Sequence, residues 1–363
     1  MRRTCCFLLA TVIMLAGTNG ARDCRAAEGG AADESRADRP PELGGVEWQR
    51  GFDAALLAAT SQDKLLLTLF QEVPGCGTCV SYGDRVLSHP LIVEAAETLF
   101  VPVAVFNNIK GADKRTLQSF NEPAWNNPVV RIVDSKRRTL RHVKEDYSVA
   151  GLAGAMVAAL EQSKRSVPTY LRLLAEETGA RSGATQRATF AMHCFWEGES
   201  ALGAIQGVVG TMPGFIDKLE VVEVEFDPAR LSFDELLSRA RQQDCASRVF
   251  ARSDAQLAAA RGQVGQAAVR SDDATRPDKQ PKYYLAQTPL KHVPMTELQA
   301  CRVNAALGRK SDPKPFLSPR QLALLRTIEA QPNHDWPEAI GAPDLIAAWR
   351  AAKAAASKAV AKR

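Results

Sequence analysis

The stretch Lys64–Cys79, KLLLTLFQEVPGCGTC, combines an apolar run with two cysteines three positions apart. Lys64–Phe70 is short, apolar and followed by turn residues, which predicts a buried β-strand. A helix is predicted to begin within the cysteine motif and to end near Leu87. Because a helix N-terminus carries partial positive charge, it favours a thiolate at Cys76 over one at Cys79. The stretch therefore predicts a strand, a redox-active turn and a helix in succession.

Further strands and helices alternate after this motif. Such alternation is typical of an α/β sheet domain with the cysteine turn at one end of a strand. The pattern also predicts a helix over Gly51–Ala59 ahead of the first strand. After the motif it predicts a helix over Pro90–Thr98, strands over Phe100–Phe106 and Val129–Val133, and a helix over Val149–Ser163.

Two thiols at this spacing close a small disulfide, which is the basis of dithiol exchange. A CxxC motif also supplies half of a zinc site. The sequence holds no second CxxC and no paired histidines, so a zinc site is disfavoured. We therefore expect Cys76 and Cys79 to be catalytic thiols, with no metal and no cofactor.

A second cysteine motif begins a different pattern. Cys194 follows a predicted strand and opens a predicted helix, a position that again favours a thiolate. Phe195 and Trp196 offer an aromatic wall suited to a methylthio group. Glu199, five residues on, is expected to act as a proton donor or as a structural cap. The alternative for Cys194 is a small core cysteine among core aromatics.

The rest of this half predicts a compact α+β domain. Glu220–Asp227 alternates apolar and acidic residues, which indicates a half-buried strand. Ser232 with Glu235, and Thr296 with Gln299, are spaced as helix caps. The remaining expectations are a polar linker or loop over Gly262–Pro281, a helix that carries Cys301, a helix that begins at Ser318-Pro319, and a frayed, solvated Ala/Lys helix over Ala342–Arg363.

Lys64–Asn107 resembles a thioredoxin-like domain, and more narrowly a bacterial family with a Val-Pro-Gly-selenocysteine-x-x-Thr motif. Cys76 stands at the selenocysteine position and Cys79 at the Thr position, so this chain has a dithiol. Pro128 matches the cis-proline that thioredoxins place beside the redox pair; an ordinary turn proline is the alternative. The resemblance covers about residues 45–165.

The Cys194 region resembles the type A peptide methionine sulfoxide reductases. The four matches occur in the family's order and cover about residues 187–252. They are Thr189–Trp196 (TFAMHCFW) to the Gly-Cys-Phe-Trp motif, Gly207-Val208 and Gly214-Phe215 to P-G-V and G-Y-T-G-G, Glu220–Pro228 (EVVEVEFDP) to the E-V-V-x-V-x-Y-D-P strand, and Phe233–Leu237 to the next helix.

The resemblance implies a mechanism and a set of roles. Cys194 would attack the sulfoxide sulfur, leaving a sulfenic acid and free methionine, and Cys245 or Cys301 would resolve it as a disulfide that thioredoxin reduces. Each of those two could instead be a buried structural thiol. Phe195, Trp196 and Phe215 would bind substrate.

The chain departs from the family at several points. His193 replaces a Gly, and Phe215 replaces a Tyr whose hydroxyl contacts the sulfoxide oxygen. The segment that carries a substrate-side Glu is nearly absent, and Ser247–Arg252 replaces a Tyr-Arg-Ser stretch. Removing donors from a developing oxyanion costs on the order of a hundredfold in rate, so slow turnover is expected.

Composition and the N-terminus bear on localisation. Hydrophobic residues make up 45% of the 363 and charged residues 24%, with a net charge of +5 and no basic stripe, which disfavours nucleic-acid binding. Arg2 and Arg3 precede an apolar run over Cys5–Gly17, followed by small residues, as in a secretory signal. An uncleaved anchor is the alternative. We expect a periplasmic or secreted protein without stable membrane insertion after cleavage.

Together these features predict an exported fusion. The predicted segments are a signal peptide (1–27), a linker (28–44), a thioredoxin-like α/β domain (45–165), an α+β, ferredoxin-like reductase-like domain (183–265) and a mostly helical C-terminal extension (281–363). The predicted activity is reduction of methionine S-sulfoxide, free or in peptides, with recycling by the CxxC and an upstream thiol reductant. The alternative is an exported thiol–disulfide exchange or peroxide-reducing protein with a degenerate second domain; a non-catalytic scaffold is a third.

Overall fold

The structure is a computed structural model that describes residues 39–361. The predicted signal peptide and residues 28–38 of the predicted linker lie outside the described residues. The chain from Arg39 onward forms one compact unit that holds two mixed β-sheets and many helices, so the general α/β character predicted from the sequence is confirmed.

The first sheet and its helices take up the chain to Ser182. Their order is β1 (Gln49–Arg50), α1 (Phe52–Ser61), β2 (Leu65–Gln71), α2 (Gly77–Arg85), α3 (Pro90–Leu99), β3 (Phe100–Phe106), α4 (Ala112–Ser119), β4 (Val129–Val133), β5 (Thr139–Val143), α5 (Val149–Gln162) and α6 (Thr169–Ser182).

The second sheet and the C-terminal helices follow. Their order is β6 (Gln186–Ala191), α7 (Phe195–Gly203), β7 (Val208–Ile216), β8 (Leu219–Phe226), α8 (Phe233–Gln242), β9 (Arg248–Ala251), α9 (Asp254–Val264), β10 (Ala268–Arg270), β11 (Arg276–Pro277), α10 (Tyr283–Ala286), α11 (Glu297–Gly308), α12 (Pro319–Glu329) and α13 (Leu345–Ala361).

The first sheet has the order β1-β3-β2-β4-β5, with β1, β3 and β2 parallel and β4 and β5 antiparallel to their neighbours. Strand β2 is buried along its whole length because both faces of the sheet are covered. Leu65, Leu67 and Leu69 face the core that α3, α5 and α6 complete. Leu66 faces α1 and Phe70 faces α4. This three-layer packing fixes the end of β2, where the cysteine turn begins.

The second sheet has the order β10-β9-β6-β8-β7-β11. Its four central strands, in the order β9, β6, β8 and β7, each run antiparallel to their neighbours. Helices α7, α8 and α9 cover one face, where Phe190, Val222 and Val224 are fully buried. Helix α7 starts directly after β6, so Cys194 lies at the edge of this core.

Described parts of two segments expected to be linkers or loops form regular elements instead. Within the predicted linker 28–44, Pro41–Leu43 forms a 3₁₀ helix with Glu42 and Leu43 buried against α2. Within Gly262–Pro281, β10 and β11 add strands to the two edges of the second sheet, beyond the predicted domain boundary at residue 265. These elements are only two or three residues long, so none of them shows the periodic apolar pattern by which strands and helices are recognised.

The C-terminal extension packs against both sheets' helices. Helix α11 lies on α7, β7 and α6, and the Arg302 guanidinium donates to the Gly203 and Val208 carbonyls. The Arg320 amide donates to Glu94 on α3. Helix α13 is not a frayed, solvated helix, because Ala352 is buried and the helix contacts α12 and α3. Over residues 39–361, no helix is both long and apolar enough to cross a membrane.

Candidate functional site

The turn after β2 presents two free thiols at the start of α2. Cys76 is the N-cap residue and is exposed, whereas Cys79 is buried within the first turn. Their sulfur atoms lie 3.4 Å apart. A Cβ at Gly75 would come within 2.7 Å of the Cys79 Cβ, so this approach requires glycine. The predicted pair is thus held together with only Cys76 open to a partner.

The two thiols differ in acidity. A hydrogen bond from the Cys79 backbone amide lowers the pKa of Cys76, whereas burial raises the pKa of Cys79 to about 11. The helix N-terminus adds its partial positive charge at Cys76. Cys76 is therefore the thiolate-forming member of the pair, as expected from its position in the motif.

Polar groups that the sequence did not indicate surround this turn. The Asn127 Oδ1 accepts from the Cys79 thiol at 2.6 Å, and the Asn127–Pro128 peptide bond is cis, as is Val73–Pro74. The buried Glu42 carboxylate accepts from the Gly75 amide at 2.6 Å. Glu42 lies in a polar stretch with no distinguishing pattern, so only the fold brings it here.

Cys194 is the N-cap residue of α7 and is half-buried. The Phe195 amide at the same helix end donates to the Glu220 Oε2 at 2.9 Å. Glu220 lies on β8, in the alternating strand quoted above, and was not singled out as a site residue. The structure therefore brings an acidic side chain to the Cys194 turn. The segment that carries the substrate-side Glu in the reductase family is nearly absent from this chain, and Glu220 comes from a different strand.

The predicted aromatic residues meet around this turn. The Phe195 ring lies edge-on to Trp196 and Phe215, with centroids 5.6 and 5.2 Å away. Tyr283 stacks on Trp196 at 4.0 Å, with the ring planes 10° apart. The Trp196 indole donates to the Asp278 carboxylate at 3.3 Å. The wall thus includes residues from beyond the predicted second domain.

Tyr284, the next residue, also lies near the cysteine. Burial raises the pKa of its phenol, and negative charge at Glu197 and Cys194 raises that pKa further. Its ring meets the Tyr283 ring edge-on at 5.5 Å. Two tyrosines of the predicted extension therefore join the aromatic residues of this turn, since Tyr283 stacks on Trp196 and Tyr284 packs on Tyr283.

Glu199 is fully buried and engaged. Its carboxylate accepts from the Lys282 Nζ at 2.9 Å, from the Lys282 amide at 2.7 Å and from the Thr211 hydroxyl at 3.2 Å. Lys282 also contacts Glu297 at 2.8 Å. These contacts favour the structural alternative for Glu199 over proton donation, because they tie the segment that carries Tyr283 to α7.

The two candidate resolving cysteines are both buried and free. Burial raises the pKa of Cys245 to about 11, with further contributions from Asp244 and Glu197. Burial raises the pKa of Cys301 to about 12, and its sulfur contacts the Thr211 hydroxyl at 3.4 Å. Neither thiol has the exposure or acidity of Cys76, so both resemble core cysteines in this conformation.

A further cavity lies away from the cysteines. It has a volume of about 550 Å³ and lies between the second sheet and the extension, with no cysteine in its wall. Its charged side chains are already paired: Glu177 and Glu225 with Arg181, Arg187 with Glu223, and Lys282 with Glu297. Among the described residues, no cluster of three or more His, Cys, Asp or Glu is arranged to hold a metal ion. The candidate functional site therefore consists of the two cysteine turns.

Comparison with known proteins gives short matches to proteins of a single kind. The chain is 41% identical over 63 residues to a peptide methionine sulfoxide reductase of Drosophila melanogaster, covering 14% of this chain and 26% of that protein. It is 38% identical over 69 residues to MsrA of Geobacter metallireducens, covering 14% and 43%, and 32% identical over 77 residues to MsrA 1 of Nostoc sp., covering 16% and 47%. Part of this chain is similar to peptide methionine sulfoxide reductases.

The extent of these matches is limited. The chain spans less than half of the length of the curated relatives named above. No protein-family model matches it. Among solved structures, a DsbH oxidoreductase aligns with a TM-score of 0.29 and 16% identity over 35% of this chain and 98% of that chain.

Proposed function

We propose that this protein is an exported thiol oxidoreductase that reduces methionine S-sulfoxide at Cys194 and is recycled by Cys76 and Cys79. The observation that carries the proposal is the Cys194 turn, where a helix N-terminus, Glu220 and a wall of aromatic rings converge. The partial similarity to methionine sulfoxide reductases supports it. The β6-α7-β7-β8-α8-β9 order also supports a ferredoxin-like second domain.

The first step needs a nucleophile, an apolar pocket and a proton. The Cys194 sulfur attacks the sulfoxide sulfur while the rings of Phe195, Trp196 and Tyr283 hold the methylthio group. Glu220, at the same helix turn, delivers the proton to the sulfoxide oxygen. The hydroxyl group then moves from the methionine sulfur to the Cys194 sulfur: the methionine sulfur–oxygen bond and the transient sulfur–sulfur bond break, and a Cys194 sulfur–oxygen bond forms. The methionine thioether leaves, and Cys194 is left as a sulfenic acid.

Recycling returns Cys194 to the thiol. Because Cys245 and Cys301 are buried, we assign resolution to Cys76 directly. The Cys76 thiol displaces water from the sulfenic acid and forms a mixed disulfide with Cys194. Cys79 then attacks the Cys76 sulfur, which releases the Cys194 thiol and leaves the Cys76–Cys79 disulfide. An external thiol reductant outside the cytoplasm supplies the two electrons that reopen it.

The test is turnover of racemic methionine sulfoxide by the full mature chain. With dithiothreitol, wild type should consume half of the substrate, since enzymes of this class act on one epimer. Cys194→Ser should abolish turnover and Glu220→Gln should lower kcat about 100-fold, whereas the matched control Cys245→Ser should retain most activity. Consumption of neither epimer by the wild type would overturn the proposal.

Trapping tests the recycling route separately. In Cys79→Ser, Cys76 attacks but its mixed disulfide is not released, so a Cys76–Cys194 disulfide should accumulate after sulfoxide treatment. Peptide mapping by mass spectrometry identifies the partner. If Cys76 is found joined to Cys245 or Cys301, direct resolution is wrong and that residue is the resolver.

A second function is favoured by the surroundings of Cys76. This cysteine is exposed, and Trp125, two residues before Asn127, has 81% of its surface exposed. An open thiolate beside an exposed aromatic ring suits thiol–disulfide exchange with other proteins. If the Cys79→Ser trap captures only disulfide-bearing proteins from outside this chain, exchange is the function and the second domain is a degenerate reductase.

A further inference from the structure

The side-chain amide of Asn127 is oriented towards the buried thiol of the cysteine pair. Its Oδ1 lies 2.6 Å from the Cys79 sulfur, and its Nδ2 lies 3.4 Å from the Trp125 carbonyl. An amide side chain has one accepting and one donating end. With the donating end directed at a carbonyl, the accepting end is left for the Cys79 proton.

A hydrogen-bond network fixes the loop that carries Asn127. The Asn107 Nδ2 donates to the Ala124 and Asn126 carbonyls at 3.3 and 3.2 Å. The Asn126 Nδ2 donates to the buried Glu122 carboxylate at 2.8 Å. Glu122 in turn pairs with Arg131 on β4 at 2.7 Å. The loop is thus tied to the sheet, and the Asn127 oxygen is held where the Cys79 thiol needs an acceptor.

We propose that Asn127 is a positioning residue that stabilises the reduced dithiol by accepting a hydrogen bond from the Cys79 thiol, and thereby sets the reducing strength of the Cys76–Cys79 pair. The contact exists in only one redox state. When the two thiols reduce a disulfide such as glutathione disulfide, two electrons pass to glutathione, both protons leave, and the Cys76–Cys79 bond forms. Cys79 then has no proton to donate. Asn127 is a half-buried residue within reach of water, so its oxygen is not left unsatisfied in the disulfide state, and the hydrogen bond favours the dithiol.

This role rests on the proposed recycling function, but its test requires no sulfoxide. Purified full chain is equilibrated with reduced and oxidised glutathione, quenched in acid and alkylated, and the Cys76–Cys79 peptide is quantified in both states. Asn127→Ala should raise the equilibrium constant for disulfide formation about tenfold, which corresponds to about 30 mV more reducing. A chain that fails to reduce sulfoxides would still give this result, so the two proposals fail independently.

Two further variants separate positioning from loop integrity. Asn127→Asp keeps an oxygen acceptor at the same place and should return the equilibrium to within about threefold of wild type. Asn126→Ala loosens the same loop without touching Cys79 and should leave the equilibrium unchanged. Circular dichroism melting checks that each variant is folded. A change of less than twofold in Asn127→Ala, failure of Asn127→Asp to restore the equilibrium, or an equal shift in Asn126→Ala would each overturn the proposal.

Discussion

Replacing Lys282 with Met should destabilise the second half of the protein, because Lys282 neutralises a carboxylate that water does not reach. The Glu199 side chain has 0% of its surface exposed and the Lys282 side chain 3%. The ammonium group lies 2.9 Å from Glu199, 2.8 Å from Glu297 and 2.7 Å from the Thr211 carbonyl. Met fills a similar volume, so the change removes the charge and the donors while leaving little empty space.

The expected loss of stability depends on which carboxylate is left without its cation. Glu297 is 30% exposed and regains water, so its loss is small. Glu199 does not regain water, and leaving one member of a buried ion pair without its partner costs about 3–5 kcal/mol of stability. Burial already raises the pKa of Glu199, so this carboxyl can take up a proton and escape part of the penalty. We therefore expect a loss near the lower end, about 3 kcal/mol.

Cys301 offers a local reporter, because its buried thiol contacts Thr211 in the same cluster. Pulsed alkylation of Cys301 across a urea series gives the free energy of opening for wild type and Lys282→Met. The matched control is Lys291→Met, which removes a partly exposed lysine 3.6 Å from the well-exposed Glu338 and should change stability by less than about 0.5 kcal/mol. The double variant Glu199→Gln/Lys282→Met should recover more than half of the loss. A loss below about 1 kcal/mol in Lys282→Met would refute the reasoning.

Three further predictions follow from the two thiol sites and the N-terminus. Iodoacetamide at mildly acidic pH should label Cys76 before Cys79, because the pKa of Cys76 is lowered and that of Cys79 is raised to about 11; preferential labelling of Cys79 contradicts this order. Tyr283→Leu should raise KM for sulfoxide about tenfold by removing the ring stacked on Trp196, whereas Tyr283→Phe should not, and equal effects would show that stacking is irrelevant. N-terminal sequencing of protein from its host should begin between about residues 21 and 28, and an intact Met1 on cytosolic protein would contradict export.

The buried strands and the cysteine turns were predictable because local sequence determines them. The predicted bounds of β3 and β4 are confirmed, since each is a short apolar run buried on both faces. Thr296 and Gln299 form the predicted cap at the start of α11, whereas at the start of α8 only half of the predicted capping box forms, in which the Ser232 hydroxyl accepts from the Glu235 amide. Each of these signals lies within a few residues of the structure that it specifies.

Elements on the surface of the fold escaped prediction for a physical reason. Strand β5 has mostly exposed or half-buried residues, and β11 is two exposed residues long, so neither carries an apolar pattern. Helix α4 buries only Asp113 and Leu117. These elements owe their place to pairing and packing partners that are distant in sequence.

The sequence predicted the thiols of the candidate site but not the groups that surround them. Cys76 and Cys194 were indicated by their place between a strand and a helix. Asn127, Glu220 and Tyr283 reach the two turns from other elements, and no spacing in the sequence links them to a cysteine. The burial of Lys282 was unexpected, because a lysine in a polar segment is ordinarily solvated.

The two turns place their nucleophiles alike but surround them differently, and this contrast supports the division of labour proposed above. Cys76 and Cys194 are both N-cap residues of nine-residue helices, so each receives the same partial positive charge. At Cys76 the adjacent group is the Cys79 backbone amide, which donates a hydrogen bond and stabilises a standing thiolate suited to exchange. At Cys194 the helix end is shared with the Glu220 carboxylate. In the proposed mechanism Glu220 thereby supplies a proton donor beside Cys194, which oxygen transfer from the sulfoxide requires and thiol–disulfide exchange at Cys76 does not.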